Sequence, residues 1–211
     1  MVFINVPTAL TWLRIVLIPV FVGVFYLPDS LLTLPSKNWL ATSIFVLAAI
    51  TDWADGWLAR RWGQTSAFGA FLDPVADKLM VAAALIVLVL LQRADAWLVI
   101  IIIGREIAVS ALREWMAQIG KSKSVAVAFI GKVKTVAQIT AIVALLLYQP
   151  FIPGVNTIWL GTFALWVAAI LTLWSMLHYL RLAAPHLSQS GLSPISRSTV
   201  SRKPGPADVR D

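Results

Sequence analysis

Apolar residues run almost unbroken along this chain, and the polar interruptions divide them into six stretches. These lie near Thr8–Leu27, Trp39–Arg60, Asp73–Leu91, Trp97–Ala117, Val125–Tyr148 and Thr157–Leu180. Each is close to the roughly 20 residues that an α-helix needs to cross a bilayer. The pattern predicts an all-α integral membrane protein with six transmembrane helices. The connections around Pro28–Lys37 and Pro150–Asn156 are short and contain proline, as simple helix-to-helix turns require. Pro19 falls inside the first stretch, which a membrane helix tolerates, with a kink, when its neighbours satisfy the freed carbonyl. From Ala184 onward Ser, Pro and Arg dominate, so a six-helix transmembrane domain over 1–183 is expected to end in a basic, disordered cytoplasmic tail over 184–211. No internal repeat of the kind found in many transporters is visible.

Composition supports this reading. Of the 211 residues 59% are hydrophobic and only 13% charged, about half the charge fraction of a soluble domain; mean hydropathy is +0.83. The absence of Cys excludes a disulfide framework or a thiolate site. The first apolar stretch has no small-residue cleavage site and is read as a span. Trp12, Trp39, Trp97, Trp115 and Trp159 lie near expected span ends, as interfacial anchors do.

The formal charge of +7 bears mainly on orientation. With a cytoplasmic N-terminus, the inner connections and tail hold Arg60, Arg61, Lys121, Lys123, Arg181, Arg197, Arg202, Lys203 and Arg210, whereas the opposite connections hold only Lys37 and Arg93. This asymmetry places both termini in the cytoplasm. Anionic lipid headgroups account for the basic excess, so membrane lipids are the expected partner and nucleic acid is not.

One segment breaks the apolar pattern in an ordered way. It reads Asp52-Trp-Ala-Asp55-Gly56-Trp-Leu-Ala59-Arg60, followed by Gly69, Asp73 and Asp77. Residues three and four apart share a helix face. Asp52, Asp55, Gly56 and Ala59 therefore form a stripe at the end of the second span, and Asp73 and Asp77 form another on the third. The connection around Arg61–Ser66 turns the chain so that the stripes face each other. Four carboxylates this close stay ionised in a low-dielectric setting only with cations beside them. Oxygen-only ligation selects hard ions such as Mg²⁺ or Mn²⁺, and four carboxylates suit a pair of divalent cations gripping a pyrophosphate. Gly56, Ala59 and Gly69 leave room for a ligand or a neighbouring backbone, and Arg60 offers a planar fork to a phosphate. The plainer reading is an interfacial acid–base cluster with small residues for packing; against it, acids within membrane segments are costly.

At all eight of these positions the spacing resembles the signature of the CDP-alcohol phosphatidyltransferase family, and the six-span layout is similar across nearly the whole chain. The resemblance implies a membrane enzyme in which Asp52, Asp55, Asp73 and Asp77 hold two divalent cations, Mg²⁺ or Mn²⁺. It also implies that Gly56, Ala59, Arg60, Ser66 and Gly69 lie at the CDP-diacylglycerol donor and that Asp77 doubles as general base. An acceptor hydroxyl would attack the β-phosphorus and CMP would leave. A homodimer, with the third and fourth spans at the contact, is expected on the same ground.

The fourth and fifth spans carry further cations. Arg105 and Arg113 are eight residues apart, about 80° around a helix, so both can line one cavity. Lys132 and Lys134 are about 200° apart, so only one faces inward; Lys134 shares a polar stripe with Gly131, Thr135 and Gln138. A basic cluster here suits an acceptor that already bears a phosphate. The alternative pairs Arg113 with Glu114 or Glu106 and leaves Lys121 and Lys123 to solvate a loop. Three segments, Asn5–Arg14, Gly69–Lys78 and Gly104–Ile107, resemble bacterial family members that use glycerol 3-phosphate. This likeness implies CDP-diacylglycerol and glycerol 3-phosphate as substrates and the bacterial inner membrane as location, with the active site on the cytoplasmic side. Asn5, Thr8 and Arg14 either support a substrate pocket, with Thr8 a candidate at the acceptor phosphate, or anchor the first helix. Inositol phosphate, serine and phosphatidylglycerol are the other acceptors used within the family. A cation or proton transporter and a lipid-binding scaffold with structural metals remain as readings from other classes.

Overall fold

The structure, a computed structural model, describes residues 6–62, 67–118, 128–149 and 156–190. They form six α-helices: α1 Val6–Tyr26, α2 Leu34–Trp62, α3 Ala67–Leu90, α4 Ala96–Gln118, α5 Ala128–Leu147 and α6 Thr157–Ser190. Among the described residues there is no strand. On length and composition two of these, over Ala9–Tyr26 and Thr157–Arg181, are apolar enough to cross a bilayer, and Val133–Leu147 is a shorter apolar stretch. The sequence-based expectation of six such helices meets a physical obstacle in α2, α3 and α4, where charged side chains gather towards one end.

Helix boundaries depart from the hydropathy pattern where local chemistry favours more helix. Near the start of α2 the Thr33 and Ser36 hydroxyls meet at 3.1 Å, and Thr33 O accepts from Lys37 N at 3.0 Å, so the helix begins at Leu34 rather than Trp39. α3 starts at Ala67, so Asp73 lies a full turn and more inside it rather than at its entry. α6 continues to Ser190, past the expected boundary at 183/184. At its other end, Asn156 Oδ1 accepts from the amides of Ile158 and Trp159 at 3.1 and 3.3 Å, a side-chain N-cap.

α5 packs most extensively on α6, and α1 lies against both α2 and α3; α4 joins through α6 and α3. The apolar core is not central. It collects Phe21 and Val24 late in α1, Ala41 and Phe45 early in α2, Leu85 and Leu88 late in α3, Leu98 and Ile102 early in α4, Ile142 and Leu145 late in α5, and Leu165 early in α6. All these positions belong to one end of the bundle, the end of the 27–33 and 91–95 connections. There α5 and α6 approach closely: a Cβ on Gly161 would sit 2.7 Å from Leu145 Cγ and 3.1 Å from Ala144 Cβ.

Polar clamps hold this end shut. Arg93, in the α3–α4 connection, donates to the carbonyls of Leu145 and Leu146 at 3.1 and 2.8 Å and to Asn38 Oδ1 at 3.0 Å, and lies 4.3 Å from the Tyr148 ring centroid. The last carbonyls of α5 carry the negative end of its dipole, so a guanidinium is well placed there. Burial lowers the pKa of Arg93, and the neighbouring Tyr148 opposes that shift. Lys37 similarly closes the end of α1, donating to Leu27 O and pairing with Asp29, both at 2.6 Å. With apolar packing and caps concentrated at one end, the other is left for buried polar groups.

Candidate active site

Thr11 and Arg14 are three residues apart and share a face of α1. That face is wedged between the two aspartate-bearing helices. Arg14, 1% exposed, meets Asp52 of α2 with Nη1 2.8 Å from Oδ1. The Thr11 hydroxyl, fully buried, donates to Asp73 Oδ1 of α3. α1 thus ties the two aspartate-bearing helices together. Asp52, Arg14, Lys78 and Lys134 all lie within electrostatic reach of Asp77.

Beside this wedge opens a cavity of about 180 Å³, whose charged lining is Arg14, Asp77, Lys78, Glu106 and Lys134. Gln138 and Thr135 add neutral polar groups, while Phe45, Leu85 and Ile102 form part of an apolar wall. Lys134 is buried and pairs with Glu106 Oε1, to which Arg105 Nη1 also approaches at 3.4 Å. Glu106 therefore serves Lys134 and Arg105 rather than Arg113, correcting one of the pairings considered for it.

Arg105 and Arg113 do share a side of α4, but that side meets α6. Arg105 donates to Ser175 and Arg113 to the Tyr179 hydroxyl. Their guanidiniums stand 5.9 and 4.8 Å from the Tyr179 ring centroid. Neither arginine lines the cavity that holds Asp77. Helix periodicity fixes their common side, but only the packing of α6 decides what covers it.

Gly69 is buried near the start of α3. For Thr8, Asp55, Gly56, Ala59, Arg60 and Lys132 the helical backbone alone is described, and Ser66 and Asn5 lie outside the described residues. Among the described residues no three acidic or imidazole side chains converge on a single metal position. Asp52, Asp73 and Asp77 nonetheless offer carboxylate oxygens from two helices on either side of α1, a donor type that fits a hard divalent cation.

A family model described as CDP-alcohol phosphatidyltransferase matches residues 4–174. The chain belongs to that family. It is 53% identical to the CDP-diacylglycerol--glycerol-3-phosphate 3-phosphatidyltransferase of Sodalis glossinidius (strain morsitans) over 183 residues, covering 84% of this chain and 93% of the relative. It is 50% identical to the protein of the same name from Escherichia coli (strain K12) over 190 residues, covering 87% of this chain and 97% of the relative. A relative of that name from Pectobacterium atrosepticum is 52% identical over 185 residues, 85% of this chain and 94% of its own length. The CDP-alcohol phosphatidyltransferases are enzymes, and the matched region includes every residue placed in the cavity.

Sequence reasoning gave no role to Thr11, Ser175 or Tyr179, and none to Glu106 beyond a pairing with Arg113. Thr11 is signalled as a polar group one helical turn from Arg14 within an apolar stretch. Glu106 is visible as an acid beside Arg105. Ser175 and Tyr179 give no signal, since a serine and a tyrosine in an apolar helix are unremarkable until a partner is known.

Proposed function

We propose that this protein transfers the phosphatidyl group of CDP-diacylglycerol to the primary hydroxyl of glycerol 3-phosphate, giving phosphatidylglycerophosphate and CMP. The carrying observation is that Asp77 and Lys134 line one cavity; the names of relatives about 50% identical over most of the chain supply the substrates. Lys134, kept in place by Glu106, binds the acceptor's phosphate, with Arg105 behind it. Asp77 accepts the proton of the attacking hydroxyl. The hydroxyl oxygen forms a bond to the β-phosphorus, the bond from that phosphorus to the oxygen of CMP breaks, and CMP carries away the electron pair. Arg14 fixes Asp52, and Thr11 fixes Asp73, so the acidic groups are oriented before substrate arrives. Arg60, with Gly56, Ala59, Ser66 and Gly69, is assigned to the donor.

Asp52, Asp55, Asp73 and Asp77 would hold two divalent ions, Mg²⁺ or Mn²⁺. Bound there, the ions supply charge stabilisation at the pyrophosphate.

All six helices are read as membrane spans. The shortest, α5, has 20 residues and so reaches about 30 Å, the thickness of a bilayer core. Large apolar side chains such as Val16, Ile86, Ile100, Ile107, Phe163 and Ile170 are exposed on the bundle's outside, where lipid would cover them. The distribution of Lys and Arg supports cytoplasmic termini and an active site facing the cytoplasm across the bacterial inner membrane. The 184–211 segment is assigned to the cytoplasmic side, and a homodimer through α3 and α4 is retained as part of this reading.

The test is to incubate purified protein with radiolabelled glycerol 3-phosphate, CDP-diacylglycerol and Mg²⁺. Lipid-soluble label that needs all components, with stoichiometric CMP, supports the reading. Absence of labelled lipid from fully folded protein overturns it.

A further inference from the structure

Several buried charged side chains at the cavity end of the bundle meet protein partners. Arg14 meets Asp52, Lys134 meets Glu106, and Arg105 meets Ser175. Gln138 is 6% exposed and lines the same cavity, yet its carboxamide makes no hydrogen bond to any described residue. Its amide atoms are not among the fully enclosed ones, so they open on the cavity. A ligand hydroxyl there completes their hydrogen bonding.

Gln138 lies one turn beyond Lys134 on α5, about 6 Å further along the axis and within about 40° of the same face. Asp77, Lys134 and Gln138 line one cavity, so a small molecule whose phosphate is held at Lys134 and whose reacting hydroxyl is directed at Asp77 can pass its middle along this wall. A carboxamide both donates and accepts, which matches a hydroxyl. The neighbouring Leu85, Ile102 and Ile139 match none.

We propose that Gln138 determines specificity for a phosphorylated polyol by hydrogen-bonding the acceptor hydroxyl that does not react, the one between the phosphate and the attacking oxygen. This rests on the phosphatidyl-transfer reading and adds to it a residue that selects among phosphorylated acceptors. Charge alone, supplied by Lys134 and Arg105, treats any phosphomonoester of the right length alike; the unpartnered amide does not.

The experiment compares kcat/KM for glycerol 3-phosphate and for propane-1,3-diol monophosphate, which has the same length and lacks the middle hydroxyl. It uses the full-length enzyme in lipid nanodiscs with CDP-diacylglycerol and Mg²⁺. The unsubstituted enzyme is expected to prefer glycerol 3-phosphate by roughly 10- to 100-fold, the range of a buried hydrogen bond left unmade. In Gln138→Met, which keeps length and volume, that preference collapses towards one through loss on glycerol 3-phosphate alone; Gln138→Leu is the second variant should Met fail to fold. A merely structural glutamine would lower both substrates together and leave the ratio intact. An unchanged ratio in the variants, or no preference in the unsubstituted enzyme, overturns the assignment of Gln138. Failure of the unsubstituted enzyme to label lipid from glycerol 3-phosphate at all overturns the phosphatidyl-transfer reading, a different result.

Discussion

Arg14 of α1 reaches Asp52 of α2 at 2.8 Å, with the guanidinium 1% and the carboxylate 42% exposed. The arginine is sealed inside the bundle while the aspartate opens to its edge, so the pair fixes the direction in which Asp52 presents its oxygens. Removing one member of a buried pair costs about 3–5 kcal/mol, and exposure of the partner reduces that. Arg14→Met is expected to destabilise the protein by roughly 1–3 kcal/mol and to cut turnover by two orders of magnitude or more. Thermal unfolding followed by tryptophan fluorescence, with CMP release in parallel, measures both; an unaltered midpoint and rate would show that the pair does neither job. Arg14→Lys restores charge without the planar fork and is expected to recover stability better than turnover.

Asp77 lines the cavity and is the proposed proton acceptor. Asp77→Asn is nearly isosteric, so the variant should fold and extract like the parent while forming no product. Normal turnover by this variant would remove the base assignment.

Lys134 and Arg113 separate binding from architecture. Lys134 faces the cavity, whereas Arg113 is held at the Tyr179 hydroxyl and faces α6. Lys134→Met should raise KM for glycerol 3-phosphate by about 10-fold or more, the scale of a lost charge-assisted hydrogen bond. Arg113→Met should leave KM nearly unchanged and lower the unfolding temperature instead. Arg105, bound to both Ser175 and Glu106, is expected to fall between them. If substitution at both Lys134 and Arg105 leaves KM unmoved, the acceptor pocket has been misplaced.

Two glycines should respond in opposite ways to the same change. A Cβ at Gly161 would lie 2.7 Å from Leu145 Cγ, a side chain with no exposed surface, whereas a Cβ at Gly104 meets nothing within 4 Å. Gly161→Ala should destabilise by about 1–3 kcal/mol through overpacking. Gly104→Ala should be neutral or stabilise slightly, because helical alanine outranks glycine. Melting curves of the two variants side by side decide this; equal midpoints would mean that α5 and α6 can separate freely.

Treatment with EDTA followed by gel filtration is expected to abolish product formation, and Mg²⁺ or Mn²⁺ to restore it. Zn²⁺, which favours nitrogen and sulfur ligands, should restore it poorly. Full activity after exhaustive chelation would contradict a metal role for the four aspartates.

Much of this protein is legible without coordinates, for definite reasons. Lengths of apolar sequence locate the helices, because a hydrophobic stretch of given length has few alternatives to forming one. The spacing of Asp52, Asp55, Gly56, Ala59, Arg60, Gly69, Asp73 and Asp77 identifies the family, and helix geometry picks Lys134 over Lys132 as the member of the α5 polar stripe. Periodicity also places Arg105 and Arg113 on one side of α4. What periodicity cannot supply is the neighbour across the gap, since it describes a helix only relative to its own axis.

Only the tertiary structure decided that α1 packs on both aspartate helices and ties each by a polar contact, Arg14 to Asp52 and Thr11 to Asp73. It also turned the Arg105–Arg113 side towards Ser175 and Tyr179, gave Glu106 to Lys134, and left Gln138 facing the cavity without a partner. Each is a contact between residues 28 or more positions apart in the chain, apart from Gln138, whose significance is the lack of one. Local sequence sets which groups a helix carries and on which side; which groups meet depends on how six helices pack, with the apolar core and its caps taking one end and the charges meeting at the other.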